Sequence, residues 1–210
     1  MPAGQFLRAY GNRWTRTAEQ VIPATAWAGC QGTLERPGAV ALAFAVALDR
    51  RDACIAAAWR DVEHGPVRVD VIDHRPGTSW LVDRITDLEQ RWQLVAPVGY
   101  DGIGPAGYVA DELRRRGVKL EATTTADYTA ACAGLLADVT DNNLTHPGAA
   151  SLDAAVAAAG KRPIGDRWVW GRQQSDGCIA PLEAVTIARW AFDHRPARRK
   201  PVVRSAKAAA

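Results

Sequence analysis

The sequence predicts an α/β domain on a mixed sheet, with three antiparallel strands first and then strands entered through helices. Three observations carry this. A period-two run spans Ala39 to Leu48, short turns separate it from two further apolar runs, and strand-like and helix-like stretches then alternate. With 210 residues, 48% of them hydrophobic, the chain is long enough for one sizeable core and short for two domains.

Residues 1 to 36 are mixed: Thr17 to Cys30 has helical character around Pro23, and a break follows from Gly32 to Pro37. The first strand puts Leu42, Phe44, Val46 and Leu48 on one face and Ala41, Ala43, Ala45 and Ala47 on the other. After the turn Asp49-Arg50-Arg51, a second strand covers Asp52 to Trp59, and a third is set by Val67, Val69 and Val71. Such short connections make an antiparallel meander.

Ser79 to Trp92 reads as an amphipathic helix, with Ser79 as N-cap and Leu81, Ile85, Leu88 and Trp92 at three- and four-residue steps. Leu94 to Tyr100 is a fourth strand, Pro105 to Arg116 a helix closed by Gly117, and Val118 to Ala122 a fifth strand. The two crossovers imply parallel pairing beside the meander. Helices follow at Thr125 to Ala137 and Ser151 to Ala159, then a strand-like Arg167 to Gly171, then a helix from Pro181 to Phe192. The tryptophans in these elements are expected to pack in the core.

Cys30, Cys54, Cys132 and Cys178 lack CxxC spacing and the four histidines are scattered, which argues against a zinc site or a disulfide framework. No apolar run reaches the roughly 18 residues of a membrane span, and the N-terminus lacks the layout of a signal peptide. A soluble intracellular protein is expected. Six basic side chains and no acids lie between residues 194 and 210, so removing them from a net +3 leaves the body mildly acidic. That segment reads as a disordered basic tail able to bind phosphate backbones, or as a solvated terminus.

The chemistry centres on Asp101, a lone acid where the fourth strand meets the glycine-rich turn Gly102-Ile103-Gly104-Pro105. The element order is that of the ribonuclease H-like fold, in which carboxylates from the first strand, the end of the fourth and the start of a late helix converge on divalent cations. Phosphodiester hydrolysis needs an activated water and a stabilised leaving oxygen, and two hard cations held by carboxylates supply both.

Several segments resemble, in order, the large terminase subunits of tailed bacteriophages that infect actinobacteria. Phe6 to Trp14, Val21-Ile22-Pro23 and Trp27 to Cys30 are similar to the stretch after the ATPase domain. Asp49-Arg50, Asp73 to Thr78, Asp101 to Gly107, Thr123 to Thr125, Leu144 to His146, Lys161 to Trp170 and Ile179 to Leu182 are similar to the nuclease half. The resemblance spans roughly residues 5 to 193 and implies residues 1–36 as linker, 37–193 as a ribonuclease H-like nuclease domain and 194–210 as a basic tail.

The implied activity is a metal-dependent endonuclease, using two Mg²⁺ or Mn²⁺ ions in its active form, that cuts concatemeric phage DNA during genome packaging. The implied partners are double-stranded DNA, the small terminase subunit and the portal, in the host cytoplasm and transiently at the procapsid. No GxxxxGK[ST] motif occurs, so the ATPase motor is absent from the sequence; Met1-Pro2 ahead of the linker-like segment favours a separately made domain over a split gene.

The family's first-strand aspartate falls at Ala45, an introduced or a natural loss. Asp49, about 13 Å along the strand, is a rim ligand and no replacement. The late acid falls at Cys178, and Asp176 is taken as the displaced third ligand, against a solvated loop acid. Asp101, Asp176 and the Ala45 position are thus the catalytic candidates, and Asp101, Asp176 and Asp49 the metal ligands. Arg50, Arg51, Arg198, Arg199 and Lys200 are candidate DNA contacts, as is Arg114 to Arg116 unless it only complements a helix dipole. Asp153 and Asp166 are expected to be structural, and His146 a surface residue or one near DNA. The alternatives are a catalytically dead DNA-binding or portal-docking module, and another ribonuclease H-like nuclease such as a resolvase.

Overall fold

The computed structural model describes residues 20–195 apart from Arg36 and Glu63. The first strand is shorter than the alternation predicts: β1 is Ala41–Val46, because the chain turns at Leu48. It pairs antiparallel with β2 (Asp52–Trp59), which pairs antiparallel with β3 (Val67–Pro76). On its other side β1 pairs parallel with β4 (Val98–Asp101), and β4 with β5 (Leu120–Thr123). The short β6 (Leu144–Thr145), which the hydrophobic pattern did not announce, joins β3 in parallel, so the sheet order is β5-β4-β1-β2-β3-β6.

Alternation along β1 decides which helix goes on which face. On the large-residue face Phe44 stacks on Tyr100 with ring centroids 5.6 Å apart, and Arg114 lies over the same tyrosine. Arg114 belongs to α3 (Gly107–Arg115), which packs beside α2 (Leu81–Arg91). Trp80 occupies the N-cap of α2 with no side-chain capping bond, so Ser79 does not have the predicted capping role.

The alanine face receives the final helix, α6 (Ala180–Asp193). Small side chains let it approach closely: a Cβ on Gly99 would lie 2.8 Å from Ile187 Cγ2, inside contact distance. Helices α4 (Thr125–Thr140) and α5 (Ala150–Ala158) cover the far side of α6, so it is buried nearly all round. A capping box between Thr124 and Asp127 starts α4, satisfying end amides that would otherwise lack partners. Arg189 on α6 donates to Asp138 on α4 at 2.7 Å.

A two-stranded hairpin stands off the main sheet, formed by β7 (Lys161–Ile164) and β8 (Arg167–Trp170) around Gly165-Asp166. Buried Trp170 anchors it by donating Nε1 to Thr186 Oγ1 on α6 at 2.9 Å.

Ahead of the sheet, α1 (Ala24–Gly29) contributes buried Trp27. Its indole donates to Asp153 Oδ1 at 2.8 Å and stacks on His146 at 3.8 Å. His146 is only 1% exposed and contacts Trp27 O through Nε2 at 3.0 Å, which corrects the surface placement expected of it. Trp59, Trp170 and Trp190 are buried, while Trp80, Trp92 and Trp168 lie partly buried against the core. Among the described residues the cysteines are unpaired, and no helix is long and apolar enough to cross a membrane.

Candidate functional site

Asp101 ends β4 and is 6% exposed. The parallel register pairs Phe44 with Tyr100, so one step further Ala45 stands beside Asp101 on the face under α6. Across β1, Ala45 pairs with Cys54, and Cys54 with His74, making a row of Asp101, Ala45, Cys54 and His74 over four strands. The position next to Asp101 therefore offers a methyl group and no oxygen.

A second carboxylate does reach this region, from a residue that sequence reading missed. Glu183, in the first turn of α6, is 1% exposed and accepts a hydrogen bond from Tyr128 Oη at 2.8 Å. Its signal was legible: it is the one acid in the first turn of a helix whose residues from Ala180 to Ala188 are otherwise apolar apart from Thr186, so burial was implied.

Arg172, in the loop after β8, joins the two acids and was also missed. Nη2 donates to Asp101 Oδ2 at 2.6 Å, and Nε lies 2.8 Å from Glu183 Oε1 in a charge contact off the line of a hydrogen bond. Asp101 Oδ1 accepts the Ile103 amide at 3.0 Å, whereas Glu183 Oε2 is buried without a hydrogen-bond partner. The backbone is shaped around this pair: a Cβ on Gly104 would lie 2.7 Å from Asp101 Oδ2 and 2.9 Å from Arg172 Nη2.

Burial raises the Glu183 carboxyl above its ordinary value, and the neighbouring guanidinium only partly offsets this. Burial alone would lower Arg172, but Glu183 and Asp101 outweigh it and leave the guanidinium more basic than usual. Cys132 below it is pushed up to about 12 by burial, and Cys178 is raised for the same reason, so neither is a ready thiolate ligand.

Two cavities meet at Arg172. One, of about 600 Å³, is lined by Asp101, Tyr128, Arg162, Ile164, Trp170 and Arg172. The other, of about 520 Å³, is lined by Asp49, Arg51, Asp52, Arg172, Cys178 and Glu183. The first is walled by the hairpin, whose Lys161, Arg162 and Arg167 are exposed, with Lys161 over the Trp168 ring at 4.5 Å.

The predicted residues are only partly assembled. Asp49 lies in the turn after β1, where Oδ1 accepts the Arg51 amide at 3.0 Å, and it lines the second cavity. Asp176 is exposed, lines neither cavity, and bonds through its backbone amide to Ala158 O at 3.0 Å. Arg50 lies over the Tyr108 ring at 5.1 Å, and Arg51 is exposed beside Asp49. Arg114, Arg115 and Arg116 pair with Asp111, Glu112 and Asp83 respectively. Arg198, Arg199 and Lys200 lie outside the described residues.

A divalent centre of the kind the fold implies does not fit these residues. Among the described residues no three His, Cys, Asp or Glu side chains converge on one point, and a guanidinium already lies between the two buried carboxylates.

This architecture is the terminase nuclease fold, a ribonuclease H-like mixed sheet with helices on both faces. The chain is similar to the HK97 bacteriophage large terminase, with a TM-score of 0.65 and 13% identity over 81% of this chain. It spans 43% of that protein's length. It is also similar over 81% of its length to the whole large terminase nuclease of thermophilic phage G20c with bound magnesium, with a TM-score of 0.56 and 12% identity. A third likeness is the Thermus phage P74-26 large terminase nuclease domain, with a TM-score of 0.52 and 11% identity over 75% of this chain and 82% of that one. No protein-family model and no curated protein matches the sequence.

Proposed function

We propose that this chain is the nuclease-fold part of a tailed-phage large terminase subunit, and that it engages double-stranded DNA during genome packaging without cutting it. The observation that carries the reading is the pair of residues at the end of the central strands: Asp101 is present, and beside it stands Ala45. Two-metal hydrolysis needs bridging and flanking oxygens around both ions. With Ala45 in place and Asp101 bound to Arg172, this chain supplies too few.

The polar surroundings support contact with DNA. Lys161, Arg162 and Arg167 project from a hairpin at the rim of the Asp101 cavity, with Arg51 at the neighbouring one. Such side chains neutralise phosphates without reading sequence. By the terminase reading, sequence choice lies with a small terminase subunit, docking with the portal, and the site of action in the host cytoplasm at the procapsid. The motor that moves DNA is supplied by an ATPase domain.

Two measurements test this. Fluorescence anisotropy with a double-stranded oligonucleotide at low salt is expected to show binding, and absence of binding removes the DNA role. Supercoiled plasmid with Mn²⁺ is expected to stay intact with the wild-type chain, and nicking would overturn the non-cleaving reading. Ala45→Asp serves as the comparison: nicking by that variant alone makes the alanine the lesion.

A further inference from the structure

We infer that Arg172 is a built-in counter-cation that takes the place of divalent metal between Asp101 and Glu183. The inference rests on the proposed reading in treating the Asp101 pocket as the counterpart of a metal-dependent cleavage centre, and its test uses no DNA.

Two carboxylates buried at the junction of β4 and α6 need a positive charge between them, since desolvation penalises each and like charges repel. A divalent cation and a guanidinium both meet that need, and they demand different surroundings. A cation of the Mg²⁺ type takes about six oxygens in near-octahedral order. Here β1 contributes Ala45 beside Asp101, Cys178 precedes α6, and the two other acids of the second cavity have neighbours of their own: Asp49 accepts the Arg51 amide, and Asp52 lies 4.0 Å from His74 Nε2.

A guanidinium is a planar, delocalised cation that one carboxylate can engage by hydrogen bond while another faces it as a charge contact. The pocket supplies one of each. Asp101 Oδ2 takes Nη2 at 2.6 Å, Glu183 Oε1 faces Nε at 2.8 Å, and Gly104 leaves the space a Cβ would fill 2.9 Å from Nη2. Tyr128 adds its hydroxyl to the same Glu183 oxygen, Oε1, at 2.8 Å. The charge of an arginine is permanent at any working pH, so the neutralisation does not depend on ion supply.

The test is metal binding and thermal unfolding of the full chain. Isothermal titration of the wild type with Mn²⁺ is expected to show no binding at this pocket, and Mn²⁺ is expected to leave its Tm unchanged. Arg172→Met is expected to lower Tm, and the loss to be recovered in part by Mn²⁺ and by adding Glu183→Gln. Stoichiometric Mn²⁺ binding to the wild type that disappears in Asp101→Asn would overturn the inference. So would an Arg172→Met variant rescued by neither route. Should Arg172→Met fail to fold, Arg172→Met with Glu183→Gln carries the test: it is expected to fold with a Tm near that of the wild type, and failure of that variant too overturns the inference.

Discussion

Tyr128 and Glu183, 55 residues apart in sequence, meet through a hydrogen bond of 2.8 Å inside the core, where the α4 phenol donates to the first turn of α6. Glu183 Oε2 has no hydrogen-bond partner, so Oε1 carries all of the carboxylate's contacts. Removing the phenol oxygen leaves that buried oxygen with only the charge contact from Arg172. Tyr128→Phe is therefore expected to cost about 1–3 kcal/mol, measured by urea unfolding. A change within about 0.5 kcal/mol would show that water replaces the phenol.

Close packing of α6 on the sheet depends on a missing side chain. A methyl group on Gly99 would lie 2.8 Å from Ile187 Cγ2 and 3.4 Å from Ala43 Cβ, so Gly99→Ala pushes the helix off β4. The expected cost is about 1–3 kcal/mol, with Ile187→Ala in the same chain recovering part of it. If the double variant is no more stable than Gly99→Ala alone, the clash lies elsewhere.

One ion-pair cluster should make stability depend on acid. Burial works to raise the Asp73 carboxyl, but hydrogen bonds from Arg84, at 2.6 Å, and from Arg75 outweigh it and hold it below its ordinary 3.8. A depressed carboxylate contributes stability that is present above the unfolded value and lost as pH falls through the folded one. Asp73→Asn is thus expected to cost about 1–2 kcal/mol at pH 7, discounted because both arginines are a third or more exposed. The gap between variant and wild type should close below pH 3.8, which denaturant curves from pH 7 to pH 3 would reveal.

DNA affinity should track the hairpin. Replacing Lys161, Arg162 and Arg167 together by glutamine removes three exposed cations of the hairpin, of which Arg162 lines the cavity. If each meets a phosphate, the slope of log affinity against log salt falls by about 2–3. Anisotropy titrations across a salt series give the slope directly. An unchanged slope would move the contact surface away from the hairpin.

Much of the fold was legible because its signals are local. The large and small sides of Leu42 to Ala47 predicted both faces of β1, and the second strand was read with its observed bounds. Misplacements came from context. Ser79 had the right chemistry for an N-cap, yet α2 starts one residue after Trp80. His146 was expected at the surface or near DNA, and Trp27, 119 positions away, buries it. The hairpin strand Lys161–Ile164 carries a proline and two basic residues, and it is a strand only because β8 pairs with it.

By itself the sequence determined the order of the first five strands and the helices between them, the carboxylate at the end of β4, and the alanine where a first-strand acid was expected, since each is a matter of local residue pattern or identity. Only the tertiary structure decided the company that Asp101 keeps. Arg172 lies 71 residues away and Glu183 further still, and their meeting depends on the path of the loop after β8 and the rotation of α6 against the alanine face. Those are set by close packing and by the need of buried charges for partners, which no local pattern encodes.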